Sequence, residues 1–212
     1  MGRTGRAACA AALWAIVGLS PALAGAKATV DLGAHRVSAD ARHVARWILD
    51  AADHGGQPFA IVDKREARIY VFDASGRLSG ASSALLGQAR GDQSAPGVGE
   101  RTQAGNVPFN ERTTPSGRFV SEPGRNLDGD HVVWVDYDTA FAIHRVRPGP
   151  SRRAREVRLA SRTPRDNRAS LGCVVVTEAF YSGVVQPLLG RKRAVVYVLP
   201  EDRPVREMFD AL

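Results

Sequence analysis

The sequence predicts a single, mainly β domain, flanked by one helix on its N-terminal side and followed, after its last cysteine, by another. Three observations predict it. A chain of 212 residues with 44% hydrophobic content can close one buried core and leaves little for a second. From Pro58 onward, short β-rich runs recur between turn residues. Helical spacing with capping residues is confined to two stretches, 38–56 and 177–190.

The N-terminus is set aside first. "MGRTGR" carries two arginines, "AACAAALWAIVGL" is a short apolar run, and "PALAGA" offers small residues at cleavage spacing, which together predict a secretory signal peptide over 1–26. The apolar run is too short and alanine-rich for a membrane span. Cleavage after Ala24 or Ala26 would remove Cys9, which is poorly placed for lipid attachment.

A helical segment over 27–56 comes next. Ser38 is its cap, Val44, Ile48 and Leu49 with Trp47 give the apolar face, and Gly55 and Gly56 stop it. "FAIVD", "ARIYVFD" and "LSGASSALLG" then read as a β-meander with "ASG" as a turn. Residues 88–114 show neither period, and so long a structureless connection is usually functional or mobile. Strands resume with "GRFVSE", "HVVWVDYD" and "FAIHRV". A second irregular stretch, 147–168, holds eight arginines against Glu156 and Asp166. A helix from Thr177 to Gly190 and the strand "AVVYVLP" complete a domain over 57–200, with 201–212 as a tail. There is no internal repeat, no metal-ligand cluster and no phosphate-cradling glycine loop, so no metal or organic cofactor is expected.

Removal of the signal leaves 27 basic against 22 acidic residues, or +5. That balance suits an anionic partner. Nucleic acid is disfavoured for an exported chain without aromatic and basic interleaving, which leaves an acidic wall polymer or a membrane surface.

The mature chain keeps one cysteine, Cys173, in "RDNRASLGCVVV". With no partner for a disulfide it is a free thiol, either a small buried hydrophobe or a nucleophile. A nucleophilic thiol needs a base and donors for the oxyanion it creates. His144, ending a strand, is the candidate base, and the small residues of "ASLGC" let the amides of Gly172 and Cys173 face a substrate oxygen. His35, His43, His54 and His131 read as surface or capping histidines.

In chain order, "TTPSGRF" (113–119), "AIH" (142–144) and "SLGC" (170–173) resemble the L,D-transpeptidase catalytic domain, the YkuD-like fold, and "FAIVDKREARIYVFDASGRL" resembles its first hairpin. The resemblance covers about residues 57–200. It implies a β-sandwich or barrel in which a cysteine takes the acyl group of a peptidoglycan stem peptide, releases a terminal D-alanine and passes the acyl group to an amine. By this resemblance Cys173 is the nucleophile, His144 the base, Gly172 and Cys173 the oxyanion donors, and Ser170 the residue shaping the turn. The carbonyl of Arg145 would orient the imidazole.

Three departures stand out. Leu171 replaces a frequent histidine, Val175 replaces a frequent arginine or asparagine, and 25 residues separate His144 from Ser170, more than is usual. Arg168, two before Ser170, is the candidate to bind a stem-peptide carboxylate in place of the missing arginine. The order of histidine before cysteine argues against papain-like wall hydrolases, and "SLGC" is not the "TLxTC" of sortases. The expectation is therefore an exported enzyme of the periplasm or cell envelope acting on peptidoglycan, with no stable membrane insertion after signal cleavage. The alternatives are an L,D-carboxypeptidase, with water as acceptor, and a non-catalytic wall-binding domain with a degenerate site.

Overall fold

The computed structural model describes residues 1–2, 30–33 and 35–210. The expected signal peptide and Cys9 lie outside the described residues. Among the described residues no helix is long and apolar enough to cross a membrane.

The fold is mainly β, as the sequence predicts. In chain order, α1 (Ala39–Asp50) precedes β1 (Phe59–Asp63), β2 (Arg68–Phe72), β3 (Leu78–Ser83) and the short β4 (Leu86–Gly87). Then come α2 (Val98–Gln103), β5 (Gly117–Arg125), β6 (His131–Asp136), β7 (Phe141–Arg145), α3 (Arg152–Ala160), β8 (Arg168–Ser170) and β9 (Val174–Val176). α4 (Glu178–Phe180) runs through a π turn (Tyr181–Val185) into α5 (Gln186–Leu189), and β10 (Ala194–Val198) and α6 (Arg206–Phe209) close the chain. Eight strands form one sheet in the order β3-β2-β1-β10-β5-β6-β7-β9, while β4 pairs with β8 apart from it.

β1 is buried along its whole length because both faces are covered. Ala60 and Val62 join a core with Tyr181, Val185 and Leu189 of the π turn and α5. Phe59 and Ile61 join a second core with Val44, Ile48 and Leu49 of α1. The caps behave as their side chains dictate: Ser38 accepts from the Ala41 amide and Thr177 from the Phe180 amide, so each satisfies a donor the helix start leaves free.

Three expectations are corrected. Of the tail expected over 201–212, the described residues 201–210 pack against the domain, since Val205 and Phe209 are buried in the α1-side core with Trp47 and Tyr197. The stretch 147–168 contains α3, whose buried face consists of Leu159 alone, too little apolar periodicity to show in the sequence. The stretch 88–114 contains α2, and Gly99 lets α2 close against the turn before β7, where a Cβ would stand 2.0 Å from the Asp138 carbonyl oxygen.

Candidate active site

The pleat of the sheet sorts the site from the core. On β6, Val133 and Val135 face the core, and on β7 Phe141 and Ile143 do the same with Val174 and Val176 of β9. The alternate residues Val132, Trp134, Ala142 and His144 face the other way and, with Cys173, line a cavity of about 380 Å³. β7 and β9 pair in parallel with His144 opposite Val175, so Cys173, two residues before Val175, sits one pleat from the imidazole. α2 contributes Thr102 and Gln103 to the opposite wall.

His144 is 8% exposed, and its Nδ1 lies 2.8 Å from the Arg145 carbonyl. A carbonyl only accepts, so Nδ1 carries the hydrogen and Nε2 keeps its lone pair. The Arg145 side chain is itself held by Asp130 at 2.9 Å and Glu178 at 3.3 Å. Burial pulls the His144 imidazole down to about 4; the Arg147 and Arg155 charges add to this, and the Arg145 carbonyl and Asp130 oppose it.

Cys173 is partly buried, and its Sγ donates to the Ala140 carbonyl at 3.5 Å rather than to His144. Ala140 has the left-handed φ of 54° that non-glycine residues rarely adopt, at the turn entering β7. Burial pushes the thiol up, and the backbone of Ala142 and the Arg147 charge offset part of this. In the resting site each member of the pair therefore favours its neutral form.

Ser170 makes two hydrogen bonds within the turn before Cys173. Its hydroxyl donates to the Cys173 carbonyl at 2.6 Å and accepts the Gly172 amide at 3.1 Å. That second bond corrects one expectation: the Gly172 N–H is engaged, which leaves the Cys173 amide as the oxyanion candidate. Gly172 has φ 141°, and a Cβ there would stand 3.0 Å from the Thr113 carbonyl oxygen, so the turn closes against "TTPSG" only with glycine.

Arg168 is not brought to the cavity. Its guanidinium meets Glu201 at 2.5 and 3.1 Å and the Lys64 carbonyl at 3.0 Å, in a buried cluster with Lys64 and Asp92. The arginines that do line the cavity are Arg125 and Arg147. Arg147 went unrecognised because it follows His144 by three residues in a stretch without period. The strand alternation of "HVVWVD" could have found Trp134. Three other histidines make structural contacts: His43 meets Asp210, His54 the Ala74 carbonyl, and His131 both Tyr181 and the Gly190 carbonyl, while His35 is exposed. No group of metal-ligating side chains occurs among the described residues.

Solved structures similar to this chain include an L,D-transpeptidase from Xylanimonas cellulosilytica, at 15% identity and a TM-score of 0.41 over 67% of this chain and 60% of that one. The helical cell shape determining protein Pgp2 from Campylobacter jejuni is similar at 14% identity and a TM-score of 0.44, over 76% and 55% of the two chains. An L,D-transpeptidase from Enterococcus faecium is similar at 15% identity and a TM-score of 0.36, over 68% and 50%. The chain thus spans between half and 60% of the length of these three structures. No protein-family model and no curated protein matches the chain.

Proposed function

We propose that the chain is an exported cysteine acyltransferase of the L,D-transpeptidase kind, acting on peptidoglycan stem peptides through an acyl-enzyme on Cys173. One observation carries this reading: Cys173 and His144 line a single cavity, with the imidazole turned by the Arg145 carbonyl so that Nε2 is the free base. The motifs "TTPSGRF", "AIH" and "SLGC" support it by their resemblance to that family.

The chemistry follows from two neutral groups in a poorly solvated cavity. As the substrate carbonyl arrives, the thiol turns from the Ala140 carbonyl to His144, and Nε2 takes its proton while sulfur bonds to the carbonyl carbon. Proton transfer within the pair leaves the net charge of the cavity unchanged, so burial penalises it less than it penalises either ion alone. The oxyanion that forms faces the Cys173 amide. Collapse breaks the C–N bond, and the imidazolium returns its proton to the departing amine, a terminal D-alanine. An acceptor amine then attacks the thioester, losing a proton to Nε2, and the thiolate leaves and recovers that proton. Water in place of the amine makes the same site an L,D-carboxypeptidase.

Incubation with a purified stem tetrapeptide, with and without an acceptor amine, tests the proposal by mass analysis of the products. Loss of D-alanine by the wild type and its absence in Cys173→Ser is the expected result. An intact tetrapeptide under both conditions overturns it and favours a wall-binding domain, for which the thiol's rest on Ala140 rather than on His144 is the supporting observation.

A further inference from the structure

α3 is a helix that its own residues disfavour. Ser151 caps it without a side-chain hydrogen bond, its first turn holds no acidic residue, and Leu159 is its only buried side chain. Arg152, Arg153 and Arg155 put positive charge at the end where the backbone dipole is already positive. Arg155 and Arg158 are like charges three residues apart, and the 2.8 Å pair of Arg152 with Glu156 runs in the less favourable direction, cation before anion. A helix of nine residues has little intrinsic stability to set against these costs. A stretch that breaks several local rules at once is shaped for something other than folding.

The charges that break those rules are left open. Of the eight arginines over 147–168, Arg147 meets Asp128, Arg152 meets Glu156 and Glu178, and Arg168 meets Glu201. Among the described residues, Arg153, Arg155, Arg158, Arg162 and Arg165 pair with no carboxylate, and all but the half-buried Arg155 are exposed. Arg158 Nη1 donates to the Asp166 carbonyl at 2.8 Å, which holds the turn after α3 beside the helix. Between them runs a shallow groove of about 960 Å³, lined by Arg153, Ala154, Val157 and Arg158 with Ser161 and Asp166. Its one carboxylate, Asp166, accepts the Ser161 hydroxyl at 2.7 Å.

We propose that α3 and the turn after it form a docking surface for a flexible linear polyanion, whose repeating oxyanions lie along the groove and meet the open guanidiniums. Arginine forks bind oxyanions by paired hydrogen bonds, and lysine, which cannot, is absent from 147–168. The bound chain supplies the negative charge that the start of α3 lacks. A bilayer fits less well, because Val157 is the one large apolar side chain exposed in this stretch and no aromatic residue accompanies it. Single-stranded nucleic acid calls for aromatic rings to stack on, and the stretch has none. Leu159 anchors α3 on Leu85, Val146 and Val175, the small core that Cys173 also packs against, so the docked polymer passes beside the candidate cavity. The surface does not depend on the acyl-transfer reading, since none of its residues belongs to the proposed machinery.

Binding of the full chain to linear polyphosphate and to polyglutamate, measured by calorimetry over a range of salt, tests the surface. Arg153→Gln with Arg158→Gln should weaken the tighter polymer about tenfold and flatten the slope of log affinity against log salt by about 1.4, at about 0.7 per cation as for single-stranded nucleic acid. Arg191→Gln with Lys192→Gln removes two exposed charges elsewhere and should leave both quantities nearly unchanged.

Hydrogen exchange gives a second readout that needs no variant: the amides of 152–160 should gain protection when the polymer binds, and those of α1 should not. The tighter polymer names the anion as phosphate or carboxylate. Equal losses in the two double variants would reduce the effect to net charge, and unchanged protection over 152–160 would place the polymer elsewhere; either overturns the inference. So does tighter binding, at equal anion concentration, to phosphatidylglycerol vesicles or to duplex DNA, and so does a failure to bind either polymer.

Discussion

Thr114 donates its hydroxyl to the Gly172 carbonyl at 2.8 Å, which joins the "TTPSG" segment to the residue before the candidate nucleophile. The same oxygen accepts the Gly87 amide at 2.8 Å, and the Thr114 carbonyl accepts from the buried Lys64 ammonium at 2.9 Å. Burial pushes that ammonium down, against the pull of Asp92. One fully buried threonine thus couples the cysteine turn, β4 and the ion cluster beneath them.

Thr114→Val keeps the shape and removes the hydroxyl, leaving the Gly87 amide unpaired in the interior. A cost of about 1–3 kcal/mol in urea unfolding is expected, the usual penalty for an orphaned buried donor. Because the turn rather than the cavity wall is loosened, kcat should fall more than KM rises, and Thr114→Ser should restore both. A stable Thr114→Val with wild-type kcat would show that the contact positions nothing.

Arg168→Ala tests the other end of that cluster. Glu201 loses its principal partner at a site where both side chains are nearly excluded from water, 11% and 3% exposed. Removing one member of a buried pair typically costs about 3–5 kcal/mol, and the remaining Lys64 and Gly91 contacts should hold the loss near the lower bound. Chemical denaturation should show the loss while KM for a peptide substrate stays unchanged. A tenfold rise in KM with unchanged stability would return Arg168 to the role its place in the sequence suggested.

The sequence made visible what depends on period and local chemistry. Ser38 and Thr177 announced their helices, and the alternation of "FAIHRV" separated His144 from the core-facing Phe141 and Ile143. It could not show what depends on distant partners. Arg168 meets Glu201 across 33 residues, β8 exists by its parallel pairing with β4, and Phe209 joins the core against the distant Trp47 of α1. The helix in the arginine-rich stretch was hidden for a different reason: with Leu159 its only buried side chain, it has almost no hydrophobic face to read.

The state of Cys173 gives a third prediction. A lone thiol beside a histidine suggests a thiolate at neutral pH, yet burial raises this thiol and lowers its partner. Iodoacetamide labelling should therefore keep accelerating past about pH 9 instead of levelling off in mild acid, where a free thiol of pKa near 8.5 would already be slow. His144→Gln should leave that profile nearly unchanged while lowering turnover about a hundredfold or more, the share of a general base. A labelling plateau below about pH 6 that vanishes in His144→Gln would establish a resting ion pair instead.

The depressed imidazole also has a thermodynamic consequence. His144 binds its proton near pH 4 when folded, and in the unfolded chain near the ordinary value of 6.5. Between those values the unfolded state holds the extra proton, so stability rises with pH there. The contribution is complete above pH 6.5 and is lost as the pH falls toward 4. For this nearly buried side chain the loss should reach about 2 kcal/mol at pH 5 and about 3 kcal/mol at pH 4. Carboxylates titrate in the same range, so the measurement is a difference. Urea unfolding of wild type and His144→Gln is followed from pH 7.5 to pH 4, and the gap between the two curves should shift in favour of the variant by that amount. If the gap is constant with pH, the imidazole is not held neutral, and kcat/KM should then lose its acidic limb near pH 4 and fall instead around the ordinary histidine value, as expected of a base that titrates freely.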